Sequence, residues 1–360
     1  MDATAVINFI VLPLSVYAIG VTAVLIRCEK VKKAKRARAE LTLSNSLLKA
    51  AEDEAFKQKT DEALRLSNVI QKFVPRQFMD HFEQNGVGNL ELGYAVEDEV
   101  AILCCDIRGF TSMSEILTPH ELMRFLNSYF LRMNGPIQQN HGFIDKFIGD
   151  AIMALFDHPG GTESDKAKDA INAAIALQKT VNLYNEHRKN CHYDPVSVGI
   201  GIHYGSVIIG TVGSDDRMDT TVIGDNVNVA FRIESLAPKY QAGILVSEQV
   251  LKSAGDDYQV EHRMLDFVRV KGRSKPVKIY EVLEHLSDAQ KQSKLCTKSD
   301  IEKGLACRMK KDWEQALTYF SAALNKSPDD RLIIHHIEMC HRCQSMALPD
   351  NWDGAMTSPA

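Results

Sequence analysis

The stretch that most constrains this chain is an unbroken apolar run, Val100-Ala-Ile-Leu-Cys-Cys105, that stops abruptly at an acid. Six apolar residues in a row, too few for a buried helix and with no polar alternation, predict a strand covered on both faces. Asp106 then falls at the strand's end, where a carboxylate meets solvent without the cost of burying a charge. The sequence continues Ile107-Arg-Gly-Phe-Thr111, and further on comes Phe143-Ile-Asp-Lys-Phe-Ile-Gly-Asp150-Ala-Ile-Met-Ala-Leu-Phe156. Two apolar runs flanking Gly149-Asp150 predict a hairpin, with Gly at the first central position as a type II′ turn prefers. Asp150 then sits on the hairpin tip. Either aspartate taken singly is read as a solvated turn residue. Two carboxylates on rigid edges beside a Gly-containing turn suit a pair of divalent cations shared with a polyphosphate, because hard cations take oxygen ligands.

The two segments Asp106-Ile-Arg-Gly-Phe-Thr and Phe-Ile-Gly-Asp150 resemble the metal-binding signatures of the class III nucleotidyl cyclases. The likeness continues through Val198-Gly-Ile-Gly-Ile-His-Tyr-Gly205, Ile223-Gly-Asp-Asn-Val-Asn-Val-Ala230 and Val270-Lys-Gly272. It covers residues 96–285. The resemblance implies an α+β fold with a ferredoxin-like βαββαβ core, and the order of predicted elements agrees with that plan.

The resemblance also implies residue roles. Asp106, Asp150 and the backbone carbonyl of Ile107 would hold two Mg²⁺ or Mn²⁺ ions. The amides of Gly109, Phe110 and Thr111 would donate to phosphate oxygens. Asn228 would orient the ribose and Arg232 would stabilise the pentacovalent phosphate. Asn228 and Arg232 are four residues apart and share a helix face, which by spacing alone is equally an exposed polar face. Lys271 matches the lysine for the terminal phosphates. Lys146 and Thr221 fall where family members select the base; Lys/Thr suits adenine, whereas guanylyl cyclases usually carry Glu and Cys there. The implied reaction converts ATP to cyclic AMP and pyrophosphate. The implied assembly is a homodimer with two equivalent sites, because relatives build each site across a head-to-tail interface. Guanylate cyclase and a catalytically silent, cyclase-like scaffold are the rival readings; the first is opposed by Lys146 and Thr221, the second by the intact set of site residues. Members with threonine at the second base position resemble a subset activated by bicarbonate. Ser206 departs from relatives that carry arginine after the His-x-Gly step, and His203 is read as a strand or core histidine.

The net charge of −5 gives no argument for nucleic acid as a partner. Eight cysteines without a regular framework, two of them in the predicted central strand, are read as reduced thiols of a cytosolic domain. At the N-terminus the segment Ala5 to Ile26 is apolar, broken only by Asn8, Pro13 and Ser15. About 20 such residues suffice for one membrane helix. Arg27, Lys30, Lys32, Lys33, Lys35, Arg36 and Arg38 follow, which places the rest of the chain on the cytoplasmic side of the plasma membrane. A cleaved signal peptide is the lesser alternative, since no basic residue precedes the apolar run.

Residues 27–82 are expected to form a helical linker. A seven-residue series through Leu41, Leu48, Ala55, Glu62 and Val69 is only partly apolar, so it predicts a weak parallel coiled coil. Phe73-Val-Pro-Arg-Gln-Phe78 then breaks the helix before proline, as a transducing element does in many relatives. Within the catalytic region Thr118, Pro119 and Glu121 predict a capped helix start. Further helices are expected at 164–187 and 225–236, and strands at 196–204 and 206–212. Polar residues 287–299 are read as a linker. Residues 298–345, with Gly304-Leu-Ala, Asp312-Trp-Glu-Gln-Ala and Ser327-Pro-Asp-Asp, resemble a tetratricopeptide unit plus a following helix. One such unit cannot bury its faces alone and is expected to dock on the catalytic domain or on a protein partner. Cys340-His-Arg-Cys343, with His335 and His336 nearby, lacks a second cysteine pair and is read as helix surface rather than as a zinc site. The last fifteen residues are expected to be disordered.

Overall fold

The structure is a computed structural model. It describes residues 12–70, 73, 75, 77, 78, 92–158, 160–214, 216–269, 276–346, 348, 349, 352 and 354–357. Lys271 and residues 5–11 of the expected membrane segment lie outside the described residues. The chain divides into two units, residues 1–74 and 75–360.

The first unit is one helix, α1 (Leu12–Ile70), without Pro or Gly from residue 21 to its end. Leu41, Leu48 and Val69, three of the residues named for the expected coiled coil, are exposed. Among the described residues, no helix is long and apolar enough to cross a membrane.

In the second unit, β1 (Ala95–Ile107) is the predicted central strand. Residues 100–105 are buried on both faces, whereas 95–99 alternate between exposed and half-buried, as period-two patterning requires. After β1 come α2 (Phe110–Ile116), α3 (Pro119–Gln139), β2 (Phe143–Ile148), β3 (Ala151–Phe156), α4 (Glu163–Asn190) and β4 (Val198–Ser214). These contain the βαββαβ order, and the ladders run β2-β3-β1-β4 with every neighbouring pair antiparallel. That is the split βαβ arrangement. α3 starts as predicted: Thr118 and Glu121 form a reciprocal capping box, with Pro119 at the first helical position. α4 has a second box, from Thr162 and Asp165.

The expectation of two strands at 196–204 and 206–212 is corrected. β4 is one strand from Val198 to Ser214, running through Gly205 without a turn. Its first part pairs with β1 and its later part with both β1 and β5 (Arg217–Ile223). A glycine in an apolar run signals a break only when the ladder does not continue through it; here it makes room beside the Asn226 side chain.

One face of the sheet packs on α3 and α4, through Leu103, Cys105, Tyr129, Met133, Ala170 and Leu177. α5 (Asp225–Ser235) lies so close to β4 that a Cβ at Gly201 would stand 2.3 Å from the Glu234 amide nitrogen. Only glycine permits that approach. α6 (Ala237–Tyr240), β6 (Ile244–Ser247), α7 (Glu248–Ala254), β7 (His262–Arg269) and β8 (Val277–Val282) extend the sheet beyond β4 in the order β6-β8-β7.

The C-terminal region corrects three expectations. Residues 288–295 form helix α8 (Asp288–Leu295), opened by a capping box from Ser287 and Gln290. Its lysines reach acids of the catalytic domain, Lys291 to Glu261 and Glu284 at 2.9 Å each, so a polar run that reads as linker is pinned as a helix. Next, α9 (Lys298–Met309), α10 (Trp313–Lys326) and α11 (Arg331–Gln344) share one apolar core with α5, α6, β7 and β8. Arg308 pairs with Asp266, and Arg263 with both Glu281 and Asp330; all are buried except Asp330, which is half-buried. Cys340 and Cys343 are buried rather than on the helix surface. His336 stacks on Phe320, and both of its ring nitrogens are engaged, one by Arg308 and one by the Leu265 carbonyl. Finally, the tail is ordered in its described part: Trp352 lies 5.6 Å from Trp313, and β9 (Met356–Thr357) adds to β7.

Candidate active site

The ladder register decides where the two aspartates meet. Cys105 pairs with Ile152, so the end of β1 lies beside the start of β3 and the hairpin tip. At that tip, Ile148 pairs with Ala151, leaving Gly149-Asp150 as the two-residue turn. Gly149 takes φ +64°, and Asp150 keeps a negative φ, as a type II′ turn requires. The Ile107 amide donates to Asp150 Oδ2 at 3.2 Å. Burial pushes the Asp150 carboxyl up to about 6, helped by the hydrogen bond and charge of the neighbouring Asp106 carboxyl. A carboxyl raised by a neighbouring carboxyl in this way is matched to a shared cation. With the Ile107 carbonyl that the resemblance adds, the donor set would be all oxygen, which fits Mg²⁺ or Mn²⁺.

After Ile107 the chain is turned by Gly109 (φ +71°) into α2, which has no side-chain cap. The first-turn amides, among them those of Phe110 and Thr111, therefore have no intrahelical acceptor. Arg108, between β1 and this turn, pairs with Glu234 of α5 at 2.9 Å. Burial holds the Glu234 carboxyl up, to about 7, against the pull of Arg108. The sequence reading gave neither residue a role. Arg108 lay inside a quoted motif, but its partner is far along the chain.

Lys146 and Thr221 come together: Lys146 Nζ donates to Thr221 Oγ1 at 2.6 Å, joining β2 to β5. Asp145 was also missed. Its carboxylate is 3.6 Å from Lys146 Nζ, its side chain is fully shielded, and burial pushes it up to about 6 despite that lysine. An acid inside an apolar hairpin strand was the available signal.

Asn228 is exposed and Arg232 half-buried on α5. Their helix is anchored through Val229, Ala230 and Ile233. Among the described residues, neither is joined by a hydrogen bond or ion pair to Asp106 or Asp150. His203 is a buried core histidine, with its ring nitrogens 2.7 Å from Ser247 Oγ and 3.0 Å from Asn226 Oδ1. Ser206 donates to Glu97 Oε1 at 2.5 Å.

A family model described as the adenylate and guanylate cyclase catalytic domain matches residues 94–284. An adenylate cyclase of Anabaena cylindrica is 45% identical over 218 residues, covering 59% of this chain and 42% of that protein. The terminal-differentiation specific adenylate cyclase of Dictyostelium discoideum is 35% identical over 282 residues, covering 76% of this chain and 13% of that one. The chain thus spans less than half the length of these relatives. A solved bacterial light-regulated adenylyl cyclase is 25% identical with TM-score 0.55, covering 65% of this chain and 66% of that one.

Proposed function

This chain belongs to the adenylate and guanylate cyclase catalytic-domain family, and from that premise we propose that it is an adenylate cyclase, converting ATP to 3′,5′-cyclic AMP and pyrophosphate in a homodimer. The observation that carries the choice of base is the Lys146–Thr221 contact. A lysine donor can serve adenine N1 while the threonine oxygen accepts from the exocyclic amine, and guanine presents the opposite pattern at those positions.

Asp106, Asp150 and the Ile107 carbonyl would hold two divalent cations, which when bound supply Lewis acidity toward the ribose 3′-hydroxyl and the triphosphate. The chain's own groups do the rest. The amides of Gly109, Phe110 and Thr111 orient phosphate oxygens. Asn228 fixes the ribose, and Arg232, always charged, meets the charge that develops on the α-phosphate during in-line displacement. Lys271 takes the terminal phosphates. That neither Asn228 nor Arg232 is joined by a hydrogen bond or ion pair to the aspartates among the described residues is compatible with a site completed by a second copy. An isolated monomer would be inactive.

Anchoring in the plasma membrane through residues 5–26, with the catalytic domain cytoplasmic, is proposed on the apolar run and the basic residues after it. Pairing of α1 as a parallel coiled coil is proposed on its exposed leucines. A protein partner of the C-terminal helices would have to use their outward side, since the inner side is filled by the catalytic domain.

The deciding experiment is turnover of the purified full chain with ATP and with GTP, each with Mg²⁺ and Mn²⁺, with and without bicarbonate. Cyclic AMP formed selectively from ATP is expected. Asp106→Asn should lower it by about two orders of magnitude or more while the chain stays folded. Full activity in Asp106→Asn overturns the metal assignment; cyclic GMP as the main product overturns the base assignment.

A further inference from the structure

Two histidines bracket the β2–β3 hairpin at the end opposite Asp150. His141 lies two residues before β2 and His158 two residues after β3. Both side chains reach the same carboxylate on α4: Asp169 Oδ2 is 3.2 Å from His141 Nδ1 and 2.6 Å from His158 Nδ1. The two imidazole centroids are 4.4 Å apart. One potential ligand atom from each of the three residues lies within 4.8 Å of the others.

Both histidines adopt left-handed backbone, φ +57° at His141 and +39° at His158. Non-glycine residues enter that region at a cost, and surrounding structure must hold them there. At His158 the hold is visible: Gly161 donates back to its carbonyl, and a Cβ on Gly161 would stand 2.4 Å from the imidazole. His141 has 61% of its side chain exposed, so one side of the cluster is open to solvent.

Two imidazoles and one carboxylate are the donor set of borderline cations rather than of Mg²⁺ or Ca²⁺. A tetrahedral ion with bonds near 2.0–2.1 Å needs ligand atoms about 3.4 Å apart. The His141–Asp169 spacing is already close to that, and His158 need open by less than about 1 Å. We propose that His141, His158 and Asp169 form a binding site for Zn²⁺ or a similar divalent cation, with water as fourth ligand, that pins the open end of the β2–β3 hairpin to α4. The site is separate from the carboxylates at the hairpin tip, roughly 20 Å away at about 3.3 Å per strand residue. It goes beyond the cyclase reading and does not depend on it. Because Lys146 and Asp150 ride on the same hairpin, an ion at its base restrains both. An ion that binds the folded chain alone also raises its stability.

The test uses the full chain and Co²⁺ as the spectroscopic probe, with saturating Mg²⁺ to occupy the aspartates at the hairpin tip. The expected result is one equivalent of Co²⁺ per chain with the d–d absorption of a four-coordinate ion and no thiolate charge-transfer band. That equivalent is lost in the His141→Asn/His158→Asn double variant, asparagine being chosen because it tolerates left-handed backbone. Zn²⁺ is expected to raise the melting midpoint of the native chain and not of the double variant. Asp169→Asn is an independent arm should the double variant fold poorly. Co²⁺ stoichiometry unchanged in the variants, a spectrum showing thiolate ligation alone, or no binding to the native chain each overturns the proposal and leaves the three residues as a hydrogen-bonded cluster.

Discussion

Lys146 and Thr221 touch across 2.6 Å although they lie on β2 and β5, strands that share no ladder. The contact leaves both polar ends at one place, where each can be spent on a base. Replacing them as Lys146→Glu with Thr221→Cys, the pair usual in guanylyl cyclases, should lower turnover of ATP by about 10–100-fold, since a mismatched buried polar partner costs about 1–3 kcal/mol. The ratio of cyclic AMP to cyclic GMP formed from equal ATP and GTP checks this; an unchanged ratio means that the pair does not read the base.

The proposal that each site is completed by a second copy leads to a complementation experiment. Asp106→Ala and Arg232→Ala chains should each be inactive as homodimers. Mixed and allowed to exchange, they should regain up to about a quarter of native activity, from the half of dimers that are mixed, each with one of its two sites intact. Turnover against mixing ratio measures it, and no recovery at any ratio counts against a shared site.

The C-terminal helices are tied to the catalytic domain by charges that cannot stand alone. Arg308 and Asp266 are both nearly inaccessible, and the guanidinium also donates to His336 Nδ1 at 3.1 Å and to the Gly354 carbonyl at 3.2 Å. Burial by itself disfavours the Asp266 charge, and Arg308 nonetheless holds its carboxyl well below the usual range. Arg308→Met should therefore cost about 3–5 kcal/mol, and Arg308→Met with Asp266→Asn distinctly less. Urea midpoints of the three chains test the order. A chain ending before α8 would leave Arg263, Asp266 and Glu281 short of partners and is expected to be insoluble or aggregated.

His336 gives a pH dependence with a definite sign. Arg308 can only donate to Nδ1 and the Leu265 carbonyl can only accept from Nε2, at 2.8 Å, so the ring is neutral. Burial pushes its pKa down from 6.5 to about 3. The unfolded chain therefore takes up the proton first. The contribution is complete above pH 6.5 and is lost as pH falls from there toward 3, by up to about 1.4 kcal/mol per pH unit. Urea unfolding at a series of pH values should show native stability falling faster over this window than that of His336→Asn; parallel curves would remove His336 from the account.

Much of the site was legible because its chemistry is local. Asp106 at a strand end, Asp150 after Gly149 and the Thr118–Glu121 cap each depend on neighbours within a few residues, and the structure places each where spacing put it. The misreadings share a cause of the opposite kind. Residues 287–299 have no apolar stripe, so nothing local distinguishes a linker from a helix whose lysines find Glu261 and Glu284. Gly205 reads as a break until β4 is seen to continue along β1. Cys340 and Cys343 read as surface because their neighbours are polar, yet α11 buries both and turns Cys340 into a core shared with β7.

By itself, then, the sequence determined the βαββαβ order, the hairpin that presents Asp150, and the capped start of α3. Backbone geometry and short-range chemistry are written in consecutive residues. Tertiary structure alone decided that Lys146 meets Thr221, that Arg108 grips Glu234, and that the C-terminal helices complete the core behind Asn228 and Arg232. Such pairings join segments far apart in the chain, where periodicity states that a side chain is buried but carries no information about what buries it.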